Sequence, residues 1–152
     1  MTEHEEKVTA GPFGSGLTVT PGMGIGVPLL LAQPLSFWGG FDVHTGRISD
    51  RRHPDYGQSL TGRVLLMAKA KGSSSSSSVL AEAVRKGVAP AAIVMAEPDL
   101  IIALAAMVAQ ELYGVRLPIV TADAALWARL MNATTPVQVD ADAIGICTFA
   151  WV

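Results

Sequence analysis

The pattern of hydrophobic and polar positions predicts short buried strands that alternate with helices. Apolar runs of strand length occupy residues 27–32, 63–67, 91–95, 117–121, 136–139 and 144–149. Three helical patterns lie between them and end near Lys86, Leu112 and Met131. This alternation is typical of an α/β fold, and the last two strands, joined by a turn at 140–142, predict a terminal antiparallel hairpin.

The predicted helices carry their own boundary signals. Gly87 and Gly114 follow the ends of helical patterns, where glycine commonly stops a helix. Asp99 has the position of an N-cap before the almost wholly apolar segment 100–112. A helix that is apolar on most of its faces is expected to be buried on most of them.

Two segments lack a clear helical or strand pattern. Residues 1–24 are acidic at first and then rich in Gly and Thr, which predicts a loose N-terminal arm with one short strand at 17–19. Residues 25–152 are then the folded domain. Within it, residues 36–59 form a long polar and aromatic loop, and loops of this length are usually functional or disordered. The aromatic residues favour an ordered, functional loop.

Composition points to a partner surface. Half of the residues are hydrophobic and only 16% are charged, against about 25% in typical soluble domains. A membrane span is disfavoured because the longest unbroken apolar run, residues 100–109, is about half as long as a bilayer requires. We therefore expect a soluble chain that buries apolar surface against another subunit.

Charge and cysteine content exclude several classes of site. A net charge of −2 gives no electrostatic basis for nucleic-acid binding. Cys147 is the only cysteine, so it can form no internal disulfide and cannot by itself assemble an iron–sulfur or zinc centre. We expect it to be a small buried strand residue rather than a nucleophile. Low cysteine use and no recognisable signal peptide suggest a cytoplasmic protein.

Candidate chemistry is concentrated in a run of six serines. Lys71 and Gly72 precede Ser73–Ser78, which join the strand at 63–67 to the next helical pattern. The free amides and the dipole at a helix N-terminus favour negative charge. A serine held there could bind a carboxylate or act as an alkoxide base. The alternative is a flexible linker, which the apolar, periodic flanks disfavour.

Several ordered motifs together resemble one family. They are Pro34–Gly40, Asp50–Ser59, Gly62–Leu65, Lys71–Ser74, Gly87–Ile93 and Val137–Asp142. In this order and spacing, they resemble the swivel-domain small subunit of aconitase X enzymes over roughly residues 27–148. The resemblance leaves the N-terminal arm unexplained.

The resemblance implies a swivelling β/β/α domain that closes onto a large catalytic subunit. Members of the family are hydro-lyases that use iron, usually an iron–sulfur cluster, held by the large subunit and not by this chain. The small hydroxy-acid substrates of the family include cis-3-hydroxy-L-proline and mevalonate 5-phosphate. The unbroken serine run offers no extra cation for a phosphate and differs from the mixed Ser-Thr-Val-Gly pattern of the phosphomevalonate enzymes. It favours cis-3-hydroxy-L-proline, with pyrroline-2-carboxylate as product.

The resemblance also assigns a catalytic residue. In this family the serine after the Lys-Gly or Arg-Gly turn is the base, and here that serine is Ser73. Its alternative role is a plain N-cap. A serine alkoxide needs nearby positive charge, for which Lys69 and Lys71 are the local candidates, and Lys71 and Ser74 are expected to contact substrate.

One position departs from conventional aconitases, which carry a carboxylate-binding arginine two places after the base. Ser75 stands there in this chain. Arg51 and Arg52 are candidates for the missing contact, because arginine binds carboxylate bidentately. Alternatively, they form ion pairs with a neighbouring aspartate. His53 could hydrogen-bond substrate or stabilise its own loop.

Two other function classes remain as alternatives to a dehydratase. A non-catalytic swivel module would use its apolar surface only to hold a partner, and replacement of Ser73 would leave activity intact. A self-contained serine hydrolase is disfavoured, because the chain has no Gly-x-Ser-x-Gly elbow in strand and helix context.

Overall fold

The computed structural model describes residues 11–142 and 145–152. Its strands are β1 (Gly14–Thr20), β2 (Met23–Gly26), β3 (Pro28–Leu30), β4 (Phe41–Asp42), β5 (Arg47–Ile48), β6 (Val64–Leu66), β7 (Ala92–Met95), β8 (Ile119–Thr121), β9 (Val137–Asp140) and β10 (Ile146–Trp151). Its helices are the kinked turn α1 (Phe37–Gly40), α2 (Ser76–Lys86), α3 (Leu100–Tyr113) and α4 (Ala124–Met131).

Eight strands form one sheet in the order β2-β9-β10-β1-β8-β7-β6-β3. Strands β8, β7, β6 and β3 are parallel, whereas the pairs from β2 to β1 and the β1–β8 pair are antiparallel. The sheet curls back on itself, because Gly24 and Gly26 of β2 lie against the backbone carbonyls of Ala91 and Gly62. A side chain at either glycine would collide with these carbonyls.

The two faces of the parallel strands belong to different cores. One core joins the parallel strands to α2, α3 and the segment from Leu35 to Leu60. The other lies between the parallel and antiparallel halves of the sheet and includes Leu126 and Leu130 of α4. The layers are therefore the antiparallel half of the sheet, its parallel half and the helices, which confirms the predicted β/β/α architecture.

The local boundary signals are confirmed. Gly87 and Gly114 end α2 and α3 in the left-handed conformation, with φ of +74° and +66°. The Asp99 side chain accepts a hydrogen bond from the Ile102 amide and caps α3. β9 and β10 pair as the predicted antiparallel hairpin.

The structure differs from the predicted N-terminal arm over residues 14–24. β1 lies in the middle of the sheet, and Leu17 pairs with both Thr121 and Ile146. Glycine in this segment permits close backbone packing, since a Cβ at Gly16 would collide with the Thr121 carbonyl. Residues 1–10, the rest of the predicted arm, lie outside the described residues.

Within the single chain, the apolar helix α3 is not buried on most of its faces. Its inner face is covered, but Leu100, Leu104 and Met107 are 83%, 46% and 59% exposed. They are spaced four and three residues apart, so they share one face of the helix. We call these three residues the α3 stripe. The apolar surface that composition predicted therefore lies partly on this helix.

The segment from 36 to 59 is an ordered loop, as its aromatic residues predict. It contains α1 and the small β4–β5 hairpin. Phe37 and Phe41 are buried and pack edge to face, with ring centroids 5.4 Å apart. No helix in the described part of the chain has the length and apolar character to cross a membrane.

Candidate functional site

The serine run lies at the carboxyl ends of the parallel strands. The segments that leave β3, β6 and β7 at this edge include residues 31–36, 67–75 and 96–99. In open α/β sheets, ligands bind where loops leave the carboxyl ends of parallel strands. The sheet topology therefore brings three separate loops to one candidate site.

The backbone around Ser73 forms a tight turn before α2. Gly72 has a φ of +98°, which places the chain in a conformation that L side chains rarely adopt. The Ser73 Oγ accepts a hydrogen bond from the Ser75 amide at 3.1 Å, and the Ser73 carbonyl accepts one from the Ser76 amide at 3.0 Å. Ser75 occupies the N-cap but forms no side-chain capping bond. Ser73, which is an exposed residue, thus orders the turn.

Ser76 is the single buried serine of the run. Its side chain is 3% exposed and its Oγ accepts a hydrogen bond from the Trp38 amide at 3.1 Å. This bond attaches the first turn of α2 to α1. The pattern of six identical residues could not distinguish this serine from its neighbours.

A small notch opens beside Ser73, between the N-termini of α2 and α3. Its volume is about 70 Å³, and its lining includes Lys71, Ser73, Ser76 and Asp99. A complete small-molecule pocket has roughly 300–1,000 Å³. The notch can therefore hold one functional group of a ligand but not a whole metabolite.

A second, open depression of about 450 Å³ adjoins the notch. Both are lined by Lys71, and the depression is also lined by Ser36, Trp38, Arg52 and His53. The structure thus brings Ser73, Lys71, Arg52 and His53 into one region. Arg51 and Ser74, the other predicted contacts, are exposed and line neither space.

Two of the predicted cations keep their charge available. Lys71 and Arg52 form no ion pair within residues 11–142 and 145–152, whereas Lys69 lies 4.0 Å from Glu97. Asp50 accepts a hydrogen bond from the backbone amide of Arg52 rather than pairing with its guanidinium. Within the described residues, Arg51 and Arg52 therefore do not form the ion pairs with a neighbouring aspartate that the alternative predicted.

His53 connects two loops. It is 5% exposed; its Nδ1 accepts a hydrogen bond from the Asp55 amide at 3.0 Å, and its Nε2 lies 3.0 Å from the Gln33 carbonyl. Because Nδ1 accepts, the proton of the neutral ring is on Nε2, which donates to the carbonyl. Neither nitrogen is then free for a substrate, so this geometry matches the loop-stabilising alternative.

Comparison with known proteins decides the family. The model of the family described as the aconitase X swivel domain matches residues 14–147. The chain belongs to this family. A crystal structure of Thermococcus kodakaraensis aconitase X in its holo-form has the same fold, with a TM-score of 0.74 and 28% identity over 90% of this chain and 98% of that one. The predicted family and fold are confirmed.

Curated relatives of this aconitase X swivel domain carry two different names. A protein named cis-3-hydroxy-L-proline dehydratase from Pseudomonas aeruginosa is 42% identical over 82% of this chain, but the match spans only 23% of that protein. A phosphomevalonate dehydratase small subunit from Methanothermobacter thermautotrophicus is 37% identical over 82% of this chain and 90% of its own length. Both are named dehydratases, but the names imply different substrates.

The described residues of the swivel domain do not fit a metal centre. They contain no group of three or more His, Cys, Asp or Glu side chains placed to hold an ion. Cys147 is buried within the sheet, and burial raises the pKa of its thiol, which opposes the thiolate form that binds metals. Any iron used in the reaction would need ligands from outside this part of the chain.

Sequence reasoning treated Asp99 only as a helix cap. The structure places it in the notch with Ser73. The signal that could have found it is positional, because Asp99 follows a parallel strand at the same edge of the sheet as the serine run.

Proposed function

We propose that this chain is the small subunit of an aconitase X-type dehydratase that converts cis-3-hydroxy-L-proline to pyrroline-2-carboxylate, with Ser73 as the base. The observation that carries the proposal is that Ser73, an exposed residue, lines the notch between the N-termini of α2 and α3. Lys71 and the N-terminus of α2 supply positive potential beside it. The 42% identity to the Pseudomonas dehydratase supports the choice of substrate.

The reaction requires a proton acceptor and a departing hydroxyl group. Ser73, as an alkoxide, takes the proton from the carbon next to the carboxylate, and the electrons of that C–H bond form a C=C bond to the neighbouring carbon. The C–O bond there breaks and its electron pair leaves with the hydroxyl group as hydroxide. A proton equivalent to the one taken by Ser73 converts the hydroxide to water, which restores the Ser73 alkoxide. The resulting enamine moves a proton from nitrogen to carbon and becomes pyrroline-2-carboxylate. Positioned proton acceptors contribute roughly 10²–10⁴-fold to such steps.

Other residues of this chain hold the substrate in the proposal. Arg52, which lines the open depression, binds the carboxylate of the substrate. Lys71, which lines both the depression and the notch, stabilises the Ser73 alkoxide. Ser74 and Arg51 are exposed beside these spaces and would contact substrate only in the closed complex. His53 positions the loop that carries Arg52.

A large subunit completes the site and, in this proposal, carries the iron or iron–sulfur cluster. The notch is too small for the whole substrate, so another surface must close over it. The α3 stripe begins at Leu100, immediately after Asp99 of the notch, and would be covered by the same partner. The name "small subunit" of the Methanothermobacter relative supports such a partner.

The alternative substrate is mevalonate 5-phosphate. It is favoured by one observation, the match across 90% of the Methanothermobacter small subunit. The other alternative, a non-catalytic swivel module, would use the α3 stripe without Ser73.

The test is a dehydration assay on the chain co-expressed with its large subunit. Cis-3-hydroxy-L-proline and mevalonate 5-phosphate are offered separately to the wild type, Ser73→Ala and Ser78→Ala. Ser78 is the matched control because it belongs to the same run but is exposed on α2 and lines neither space. We expect turnover of the proline substrate, a loss of 10²-fold or more in Ser73→Ala, and near-normal activity in Ser78→Ala.

The remaining outcomes separate the alternatives. Turnover of mevalonate 5-phosphate alone would keep the proposed base and overturn the substrate. Full activity in Ser73→Ala would place the base in the partner and leave this chain a scaffold.

A further inference from the structure

Asp99 is the acidic side chain in the notch beside Ser73. One of its carboxylate oxygens, Oδ1, caps α3 by accepting the Ile102 amide at 3.0 Å. The other, Oδ2, makes no hydrogen bond or ion pair with any residue that the structure describes. An ionised carboxylate accepts several hydrogen bonds, so Asp99 can cap its helix and bind a ligand at once.

The notch presents both signs of charge. Lys71 and the N-terminus of α2 favour an anion, whereas Asp99 favours a cation. A cyclic amino acid carries a carboxylate and a secondary ammonium on the same carbon, so its two charges match this arrangement. The charged groups of mevalonate 5-phosphate, a carboxylate and a phosphate, are both negative, and the Asp99 carboxylate would repel them. The charge pattern therefore discriminates between the two substrates named among the relatives.

The size of the notch agrees with this assignment. About 70 Å³ accommodates one small ionic group, and an ammonium that enters it would leave the rest of the ring at the mouth, beside the Ser73 hydroxyl. That position is where a proton acceptor must meet the carbon next to the carboxylate.

We propose that Asp99 binds the secondary ammonium of the substrate and makes this subunit selective for a cyclic amino acid over a phosphorylated hydroxy acid. This inference rests on the proposed dehydratase function and adds a specificity-determining residue to it. Asp99 acts through its free oxygen, while its cap on α3 is a separate, structural role.

The test uses Asp99→Asn in the complex with the large subunit. Asparagine caps helices as well as aspartate does, so α3 keeps its cap and only the charge is lost. Asp123→Asn is the matched control: Asp123 caps α4 through the Leu126 amide at 2.9 Å, and α4 packs into the other core, away from the notch. Thermal unfolding of both variants checks the caps.

Two substrates isolate the ammonium contact. They are cis-3-hydroxy-L-proline and its carbocyclic analogue, cis-2-hydroxycyclopentane-1-carboxylate, which lacks the nitrogen. For Asp99→Asn we expect KM for the proline substrate to rise about 10- to 100-fold, the scale of a charged hydrogen bond. The kcat/KM of Asp99→Asn for the carbocyclic analogue should stay the same or rise, so that the variant no longer prefers the proline substrate to the analogue. Wild type and Asp123→Asn should keep the preference for the proline substrate.

Failure of the inference and failure of the proposed function look different. If the wild type turns over cis-3-hydroxy-L-proline and Asp99→Asn retains both KM and discrimination, the role of Asp99 is overturned while the function stands. If the wild type turns over only mevalonate 5-phosphate, both the role of Asp99 and the proposed substrate are wrong. Should Asp99→Asn fail to assemble, Asp99→Ser, another good N-cap without charge, makes the same comparison.

Discussion

Gly72 packs directly against Ser36. A Cβ added at position 72 would collide with the Ser36 hydroxyl and lie 2.7 Å from its Cβ, and the φ of Gly72 is +98°. Ser36 in turn donates a hydrogen bond to the Trp38 carbonyl at 2.9 Å. The turn before Ser73 is therefore held against the loop that forms the open depression.

We predict that Gly72→Ala destabilises the protein more than Gly87→Ala. Both glycines have positive φ, which costs an alanine about 1–2 kcal/mol, but nothing lies within 4 Å of a Cβ at Gly87. The added collision at Gly72 should also displace Ser73 and lower kcat of the complex, while Gly87→Ala should leave kcat unchanged. Denaturant unfolding and the dehydration assay measure the two effects. Equal loss of stability and activity in both variants would contradict the close contact.

Arg52 and Arg51 should differ in their effect on substrate binding. Arg52 lines the depression that shares Lys71 with the notch, and its neighbour Arg51 does not. We predict that Arg52→Ala raises KM about 10- to 100-fold, because a charge-assisted contact to the carboxylate is lost, and that Arg51→Ala has little effect. Steady-state kinetics of the complex decides this. A larger effect at Arg51 would contradict the assignment of the carboxylate contact to Arg52.

The α3 stripe should contribute to association with the large subunit. We predict that Met107→Lys weakens binding of the large subunit by at least about 10-fold, since a buried charge replaces apolar contact. Met131→Lys is the control, because Met131 is similarly exposed but belongs to α4. Isothermal titration calorimetry gives both dissociation constants. Weaker binding only in Met131→Lys would place the interface on the other side of the domain.

The buried thiol of Cys147 should make part of the stability depend on pH. Burial raises its pKa in the folded state, so the folded protein retains the thiol proton that the unfolded chain loses above about pH 8.5. The contribution of Cys147 is complete below that pH and declines as pH rises towards the folded-state pKa. We predict that the free energy of unfolding of the wild type exceeds that of Cys147→Ala most at pH 7, and that this excess shrinks by pH 10. Urea unfolding at both pH values tests it, and a constant difference would contradict it.

Local signals in the sequence predicted most of the individual elements. Gly87, Asp99 and Gly114 mark helix ends through backbone sterics and capping, which depend only on neighbouring residues. β3 and the strands and helices from residue 63 onward follow the same rule, whereas α1, β4 and β5 lie in the segment 36–59 that the pattern predicted as a loop. The motifs from Pro34 to Asp142 indicated the family, because several motifs in a fixed order and spacing identify a family without any knowledge of the tertiary contacts.

Other features depend on contacts between residues far apart in the chain. β1 is a central strand because Thr18 pairs with Val120, and glycine-rich composition alone resembled a loose arm. Asp99 and Ser73 share a notch because parallel pairing of β6 and β7 aligns the loops that follow them. The exposure of the α3 stripe depends on which helix face the sheet covers.

The sequence by itself therefore determined most of the strands and helices, the helix ends at Gly87, Asp99 and Gly114, the serine turn and the family. The tertiary structure determined which serine is buried, which arginine faces the site, and that His53 serves its own loops. The physical reason is range. Caps and turns are set within about five residues by sterics and hydrogen bonding. The surroundings of a side chain are instead set by packing partners that can lie more than a hundred residues away in the chain, as Leu17 and Thr121 do.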